Sequence, residues 1–171
     1  VTAAKEVGGR VVVKLNGDRI AHKSERGLVR VDVSGEEAVC RAAEEILAAV
    51  RPDDGDVNLL VAEYVAGLRE LIVGMVHDPQ FGPVVMLGIG GVLAEAIADV
   101  GFRPAPLDLA AAHELINDLS LQDLLGEFRG DAALDRDALA DLLVAVGSLA
   151  RDRTDIASVD LNPVIITTSG E

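Results

Sequence analysis

Near the end of the chain, Asp160 and Asn162 stand two residues apart in the run DIASVDLNPVIIT. On a strand, residues two apart point their side chains to the same face of the sheet. A carboxylate and an amide oxygen on one face form part of a site for Mg²⁺, which also bridges nucleotide phosphates. We expect two strands around Pro163 here, but the alternative is a turn, which Asp-x-Asn before proline favours by pattern alone.

A second candidate is Lys14, which lies inside the apolar run VVVKL, a predicted short strand. A lysine in such a position is informative, because a buried ammonium group needs an anion. The alternative is an edge strand, from which the lysine side chain reaches solvent along its aliphatic stem.

A third candidate is His22, in the polar loop that follows this strand. A single histidine in a loop is usually only solvated. Here, however, it stands beside Lys23 and near Arg26, and such a cationic neighbourhood attracts phosphate.

The stretch from Glu63 to Glu95 organises the elements that must position these groups. Its apolar segments, 71–76 and 84–87, are split by HDPQFGP and predict two neighbouring antiparallel strands joined by a rigid turn. The glycines of the following GIGG run let a backbone pass close to a ligand or to another strand. Glu63, Glu70 and Glu95 interrupt this apolar stretch, and carboxylates beside buried strands must be solvated, paired or used.

The remaining elements follow from periodicity and capping residues. Residues 28–33 and 58–65 are predicted strands, and 52–56 is a predicted solvated turn. Ser34 is predicted to cap a helix over 36–50 whose apolar face comprises Val39, Ala43, Ile46, Leu47 and Val50. Two further helices are predicted, one capped by Asp108 and running through Leu119, the other over 135–150.

Four separated motifs together resemble one family. They are VVVKLNGDRIAHKSERG, DPQFGPVVMLGIGGVLAE, FRPAPLD and DIASVDLNPVIIT. The chain resembles the ATP-grasp domain of the acyl-CoA synthetases that form a nucleoside diphosphate, that is, the ADP-forming acetate–CoA ligases, which are related to the β subunit of succinyl-CoA synthetase. The resemblance covers nearly the whole chain in the right order, and the agreement of four motifs makes it specific.

The resemblance implies an α+β fold of the ATP-grasp type, with antiparallel sheets and flanking helices. Residues 1–171 would form one nucleotide-binding domain with two lobes, approximately 1–62 and 63–171. The chain begins at Val1 and would be a fragment of a larger protein, without the family's first segment and without a later strand that carries a metal-binding Asp in the succinyl-CoA synthetase branch.

The resemblance also implies roles for residues at the nucleotide. Lys14 and Arg103 would contact phosphate, and the planar fork of an arginine suits phosphate oxygens. Glu63 and Val65 would lie at the hinge between the lobes and contact the adenine. Glu70 would lie near the ribose.

For the metal, the resemblance shifts the interpretation from a turn to a binding site. Asp160 and Asn162 would be ligands of Mg²⁺, because ATP-grasp proteins carry Glu/Asp-x-Asn at this point. Glu95 is a further candidate acidic ligand.

His22 would be the catalytic residue of this chain by the same resemblance, since the family's HKS motif relays phosphate from the nucleotide site toward a second subunit or domain. The family usually has HKSDVGGV where this chain has HKSERGLV. Arg26 and Leu28 thus replace a small residue and a glycine.

The implied reaction is acid + CoA + ATP ⇌ acyl-CoA + ADP + Pi through a phosphohistidine, with ATP or ADP and Mg²⁺ as cofactors. The partner would be a CoA-binding or ligase domain or subunit that carries the primary phosphohistidine and handles the carboxylic acid and CoA. One alternative is a catalytically degenerate nucleotide-binding module with a regulatory role, for example in a fusion with an acyltransferase. Another is a domain that only docks onto the CoA-binding partner.

Composition limits the remaining classes. The net charge of −14 argues against nucleic acid or an anionic membrane as a partner. Cys40 is the one cysteine of the chain, which allows no internal disulfide and fits a reducing cytoplasm. No apolar run reaches the roughly 20 residues needed to span a bilayer.

Overall fold

The structure, a computed structural model, describes residues 1–20, 23, 26–67, 69–91 and 97–171. It divides into two compact units, Val1–Val65 and Ala66–Glu171, and each unit has its own sheet and its own buried apolar cluster. The sequence placed a boundary between lobes slightly earlier, between residues 62 and 63.

The first unit is a three-stranded antiparallel sheet with helices packed on one face. Its elements are α1 (Thr2–Val7), β1 (Val11–Asn16), β2 (Val29–Val33), α2 (Glu36–Ala48), a 3-10 turn (Pro52–Asp54) and β3 (Asn58–Glu63). The strand order β2-β1-β3 makes β1 the central strand. Its residues Val11, Val13 and Leu15 are buried together with Val39, Ala42 and Ile46 of α2. The alternate residues of β1 therefore face away from α2.

Helix α2 differs from its prediction at both ends and on one face. Ser34 is not the cap, because the helix is entered from Gly35, which has a φ of 83° and offers no side chain. The helix ends at Ala48 rather than Val50. Leu47 is 48% exposed, since it lies about 100° around the helix from the buried Ile46.

The turn after α2 was predicted to be solvated, and at Asp54 this is wrong. The Asp54 side chain is buried and accepts hydrogen bonds from Nη1 and Nη2 of Arg26, at 2.7 and 2.9 Å. The backbone N–H of Arg51 donates a third, at 2.7 Å. The Arg26 guanidinium first, and the Arg51 N–H second, lower the pKa of Asp54 from 3.8 to about 2.

The second unit is a four-stranded antiparallel sheet with two helices on one face. Its elements are β4 (Arg69–Asp78), β5 (Gly82–Ile89), β6 (Val100–Pro104), α3 (Leu109–Asp118), a 3-10 turn (Gln122–Leu124), α4 (Arg136–Asp152) and β7 (Ser158–Ile166). The strand order is β6-β5-β4-β7. Leu71, Val73, Val85 and Leu87 are buried from the sheet, against Leu115, Ile116 and Leu143 of the helices.

The predicted hairpin of the organising stretch is confirmed. Strands β4 and β5 pair antiparallel from Leu71 opposite Ile89 to Asp78 opposite Gly82. The Asp78 carboxylate accepts hydrogen bonds from the backbone N–H groups of Gln80 and Phe81, at 2.8 and 2.9 Å, which fixes the turn. Local turn chemistry thus explains why the hairpin was predictable.

The last strand was predicted as two strands around Pro163 but is one strand, β7. Its pairing with β4 shifts by one residue, because Leu71 lies opposite Val164 while Val73 lies opposite Leu161. The extra residue forms a bulge at Asn162 and Pro163, where a proline without an N–H is tolerated. Asp160 and Asn162 therefore lie in a strand and not in a turn.

Both helices of the second unit have an aspartate cap, which was predicted for Asp108 but not for Asp135. The Asp108 carboxylate accepts a hydrogen bond from Ala111 N–H, at 2.8 Å. The Asp135 carboxylate accepts from Asp137 N–H and Ala138 N–H, at 3.1 and 2.9 Å. Among the helices that the structure describes, none is long and apolar enough to cross a membrane.

Candidate functional site

The larger sheet has one face that no described helix covers, and we call it the uncovered face. Side chains alternate between the two faces along a strand. The residues that alternate with the buried Leu71, Val73 and Val85, together with their cross-strand partners, therefore lie on the uncovered face. Its apolar members include Ile72, Val76, Met86 and Phe102, of which Val76 is 52% and Phe102 53% exposed. The uncovered face is therefore largely apolar and accessible to solvent.

Asp160 and Asn162 lie on this uncovered face. Both side chains are exposed. Leu161, which lies between them, and Val159, which precedes Asp160, pack on the buried cluster. Asp160 is paired with Gly74, which has no side chain to cover the carboxylate. Within the described ranges, neither the Asp160 nor the Asn162 side chain has a hydrogen-bond partner or an ion pair. Two uncommitted hard oxygen donors fit Mg²⁺, whose other ligands are commonly phosphate oxygens and water.

Glu70 lies on the same face of β4, close to the glycines that follow β5. The N–H of Gly90 donates to the carbonyl of Glu70 at 2.7 Å, and a Cβ on Gly90 would come within 3.2 Å of the Glu70 Cβ. At Gly91, with a φ of 80°, an added Cβ would lie 3.7 Å from Glu70 Oε2. These glycines thus allow close approach to β4, one of the two uses predicted for them.

Arg103 lies on the other, helix-covered face. It is opposite the fully buried Val85 in the β5–β6 pair, so both side chains point to the same side. Its guanidinium forms an ion pair with Asp118 at the end of α3. The structure therefore does not bring Arg103 together with Asp160 and Glu70, and its predicted phosphate contact stays a prediction.

Lys14 lies on the central strand of the smaller sheet, so the edge-strand alternative is wrong. It is opposite Val29 of β2 and Leu60 of β3, on the face that points away from α2. Leu60 is 43% exposed, which indicates that this face is accessible. No ion pair of Lys14 occurs among the residues that the structure describes. The half-buried Lys14 side chain is thus free to contact an anionic ligand on this face.

Glu63 and Val65 flank the end of β3. Glu63 is the last strand residue and is exposed, and Val65 is 40% exposed. Between them, the N–H of Tyr64 donates to the carbonyl of Arg10 at 3.0 Å and so extends the β1–β3 ladder. The backbone of this segment is thus held in place just before the boundary of the unit.

Two predicted site residues, His22 and Glu95, lie outside the described residues. The neighbouring Arg26 was expected to contribute to a phosphate-attracting loop, but its guanidinium is bound to Asp54. Leu28 is fully buried in the first unit. Arg26 and Leu28, two of the residues that depart from the family's usual motif, therefore support the fold.

The family comparison agrees with this architecture, since the ATP-grasp domain family matches residues 1–171. The chain belongs to the ATP-grasp family. The predicted α+β fold of antiparallel sheets and flanking helices is thereby confirmed, and so is the resemblance on which it was based.

Several relatives of this ATP-grasp domain are ADP-forming acetate–CoA ligases. It is 41% identical over 170 residues to acetate–CoA ligase [ADP-forming] I of Archaeoglobus fulgidus, covering 98% of this chain and 25% of the relative. It is 37% identical over 162 residues to the β subunit of acetate–CoA ligase [ADP-forming] I of Pyrococcus furiosus, covering 93% of this chain and 70% of the subunit. The domain thus spans a quarter of the first relative's length.

Solved structures of one protein resemble the ATP-grasp domain in three dimensions. The dinucleotide forming acetyl-coenzyme A synthetase 1 of Ca. Korarchaeum cryptofilum, in complex with coenzyme A, Ca-AMPCP and HgCl⁺, superposes with a TM-score of 0.89 at 38% identity. The match covers 99% of this chain and 75% of that chain. A second complex of that protein holds coenzyme A and Mg-AMPPCP, with its phosphohistidine segment pointing towards the nucleotide binding site (TM-score 0.81, 38% identity, 98% and 74% covered).

Sequence reasoning missed Arg69, a residue that supports the strand carrying Glu70 and is only 4% exposed. Its guanidinium donates to the carbonyls of Leu124, Gly126 and Ala132, at 3.3, 2.8 and 2.6 Å. It anchors the loop after α3 to β4, beside Glu70. Carbonyl partners leave no sequence signal, because every residue carries one.

Proposed function

We propose that this chain binds ATP or ADP with Mg²⁺ and is the nucleotide-binding part of an ADP-forming acyl-CoA synthetase. The whole protein would catalyse acid + CoA + ATP ⇌ acyl-CoA + ADP + Pi through a phosphohistidine. Support comes from relatives named acetate–CoA ligase [ADP-forming] and from the similarity to a synthetase solved with nucleotide analogues.

The observation that carries the proposal is the position of Asp160 and Asn162. Both side chains lie on the uncovered face, Asp160 opposite Gly74, and no described side chain is bonded to them. They would hold Mg²⁺, which supplies positive charge to neutralise the nucleotide phosphates when it is bound. Glu70 lies on the same face of the neighbouring strand and would lie near the ribose.

The residues of the first unit would contact the remaining parts of the nucleotide. Lys14 would neutralise phosphate charge, because its side chain lies on an accessible sheet face and has no ion pair among the described residues. The backbone of Glu63 and Val65 would bind the adenine, as in the resembled family. Such a site acts by positioning and charge stabilisation, which is how phosphoryl transfer is generally catalysed.

The further steps need groups beyond those described. His22 would accept a phosphoryl group on its imidazole and pass it on, a role that rests on the family resemblance. CoA and the carboxylic acid would bind to a partner domain or subunit that carries the primary phosphohistidine. Because the chain covers a quarter of the A. fulgidus enzyme, we expect it to bind nucleotide but not to complete the reaction alone.

The test is calorimetric titration of Mg-ATP into the chain and into two variants, Lys14→Ala and Asn162→Ala. We expect saturable binding by the wild type, and at least about tenfold weaker binding by each variant, which corresponds to ~1.4 kcal/mol per lost contact. Matched controls are Lys5→Ala, an exposed lysine of α1, and Asn58→Ala, an exposed asparagine of β3. Both should bind like the wild type.

Two results would contradict the proposal. A folded wild-type chain that binds no Mg-ATP would leave only the docking role. Equal affinity of all variants would mean that nucleotide binds elsewhere. If Mg-ATP binds but the complete protein never places labelled phosphate on His22, the regulatory alternative is favoured over the synthetase.

A further inference from the structure

Three side chains meet at one end of the smaller sheet: Arg10 just before β1, Asp32 in β2 and Tyr64 just after β3. The guanidinium of Arg10 lies over the ring of Tyr64, 4.7 Å from its centroid. Its Nε also donates to the Asp32 carboxylate, with which it forms an ion pair. We call these three residues the Arg10 cluster.

The Arg10 cluster lies on the same face of the sheet as Lys14. Val11 is opposite Glu63, and the hydrogen bond from Tyr64 N–H to the Arg10 carbonyl continues this ladder by one residue. Because Val11 points into the core, the residue before it points to the other side. The cation–π contact with Tyr64 agrees with a cross-strand pair on that side.

Asp32 reaches this position through an irregularity in β2. Val11 lies opposite Val33 but Val13 lies opposite Arg30, so β2 contains one extra residue. Asp32 takes a φ of 58° there, a left-handed conformation for which glycine is the usual residue. Bulges re-aim side chains and are frequent next to functional sites. A carboxylate at a position that suits glycine suggests that the ion pair with Arg10 has a use.

The cluster contributes little to the stability of the unit. The side chains of Arg10 and Asp32 are 55% and 43% exposed. Exposed ion pairs are worth little, because solvent screens them and both side chains lose entropy. The cluster does, however, fix the backbone at Tyr64, between the two residues proposed to contact the adenine.

We propose that Arg10, Asp32 and Tyr64 are positioning residues for the nucleotide base, because they hold the backbone of residues 63–65 in its binding conformation. This inference rests on the proposed function and deepens it. Arg10 acts through the strand and not as a phosphate ligand, since its guanidinium is already committed to a carboxylate and an aromatic ring. Preorganised backbone binds more tightly because less entropy is lost on binding.

The experiment uses Arg10→Ala and Asp32→Gly, with Arg153→Ala as the matched control. Arg153 forms an exposed ion pair with Asp155 in the second unit and lacks an aromatic partner among the described residues. Asp32→Gly is the sharper variant, because it removes the carboxylate but keeps a residue that suits the φ of 58°. Three quantities are measured: the melting temperature, the hydrogen exchange rate of the Tyr64 amide, and the affinity for Mg-ATP.

We expect the Tyr64 amide to exchange about fivefold faster in both cluster variants and the affinity for Mg-ATP to fall about fivefold, because the backbone of residues 63–65 is less well ordered before binding. The melting temperature of Asp32→Gly should stay at the wild-type value. The control should change none of the three.

Each contrary outcome is distinguishable. Wild-type affinity together with wild-type exchange in Asp32→Gly overturns the inference while the proposed function stands. Weaker affinity with unchanged exchange also overturns it, because Arg10 would then contact the ligand directly. A large fall in melting temperature would assign the cluster to stability. A folded wild-type chain that binds no Mg-ATP overturns the proposed function and this inference together.

Discussion

On the helix-covered face of the larger sheet, the cations have protein partners: Arg69 binds three carbonyls, and Arg103 binds Asp118. On the uncovered face, Glu70, Asp160 and Asn162 have no side-chain partner among the described residues. Both sets lie on the same four-stranded sheet, so membership of the sheet alone does not separate them. The paired arginines support the fold, and the unpaired polar groups of the uncovered face are the ones proposed to bind a ligand.

The largest expected effect comes from Arg69→Met. Removing a buried guanidinium leaves three carbonyls without their donor, so we expect a loss of ~3 kcal/mol in the free energy of unfolding of the second unit. Urea denaturation measures it. Arg129→Met, which changes an exposed arginine in the same loop, is the control and should stay within ~0.5 kcal/mol. A loss below ~1 kcal/mol for Arg69→Met would contradict the view that the paired charges of the helix-covered face maintain the fold.

The second-largest expected effect is the dependence of ATP affinity on Mg²⁺, which tests the proposed metal ligands of the uncovered face. We expect ATP to bind the wild type about 30-fold more weakly when Mg²⁺ is chelated, which corresponds to ~2 kcal/mol of lost charge neutralisation. In Asp160→Asn the difference between the two conditions should shrink to about threefold. Calorimetry with and without chelator measures both. The control Asp155→Asn, whose carboxylate is paired with Arg153, should keep the wild-type dependence.

The same contrast applies to two adjacent acids of the first unit. Asp54 is buried and paired, whereas Asp53 is exposed. Because the hydrogen bond from Arg26 lowers the pKa of Asp54 to about 2, the ionised form stabilises the folded state. This stabilisation is complete above the ordinary value of 3.8 and is lost as the pH falls toward about 2.

Asp54→Asn should therefore be clearly less stable than the wild type at pH 6, and the difference should narrow as the pH falls through this window. Urea midpoints at several pH values measure it. Asp53→Asn should follow the wild type throughout. A constant difference between Asp54→Asn and the wild type would mean that the ion pair contributes through shape and not through charge.

The smallest expected effect comes from Arg103→Ala. This variant tests whether Arg103 only forms an ion pair on the helix-covered face or contacts phosphate, as the family resemblance implies. The ion pair with Asp118 is partly exposed, so its loss should cost ~0.5 kcal/mol of stability. On the covered face, the side chain should not affect Mg-ATP affinity by more than about twofold. Titration as above measures it, and a tenfold loss would instead support the phosphate contact that the resemblance implies.

Local signals made much of the fold predictable from the sequence. The β4–β5 hairpin and the helices capped by Asp108 and Asp135 depend on residues only a few positions apart. The ion pair of Arg26 with Asp54 joins residues 28 positions apart, and the bonds of Arg69 span 55 to 63 positions. Sequence patterns carry little information on such contacts.

The candidate site was predictable to a similar degree. A period of two placed Asp160 and Asn162 on one face without knowledge of the sheet. The face of Arg103, in contrast, depends on its register with β5, which no pattern within β6 reveals. Ser34 was predicted to cap α2, but the residue at the cap is Gly35. The helix begins with a backbone conformation that suits glycine and not with a side-chain hydrogen bond.

The position of β7 has a consequence for the order of events during synthesis. This strand is the last regular element of the chain, yet it pairs with β4, the first strand of its unit. Such distant pairing closes slowly, and until it closes, β4 presents an open edge to other chains. Asp160 and Asn162 are carried on β7 itself. If nucleotide binds at Asp160 and Asn162 as proposed, it stabilises the sheet only after β7 has paired with β4.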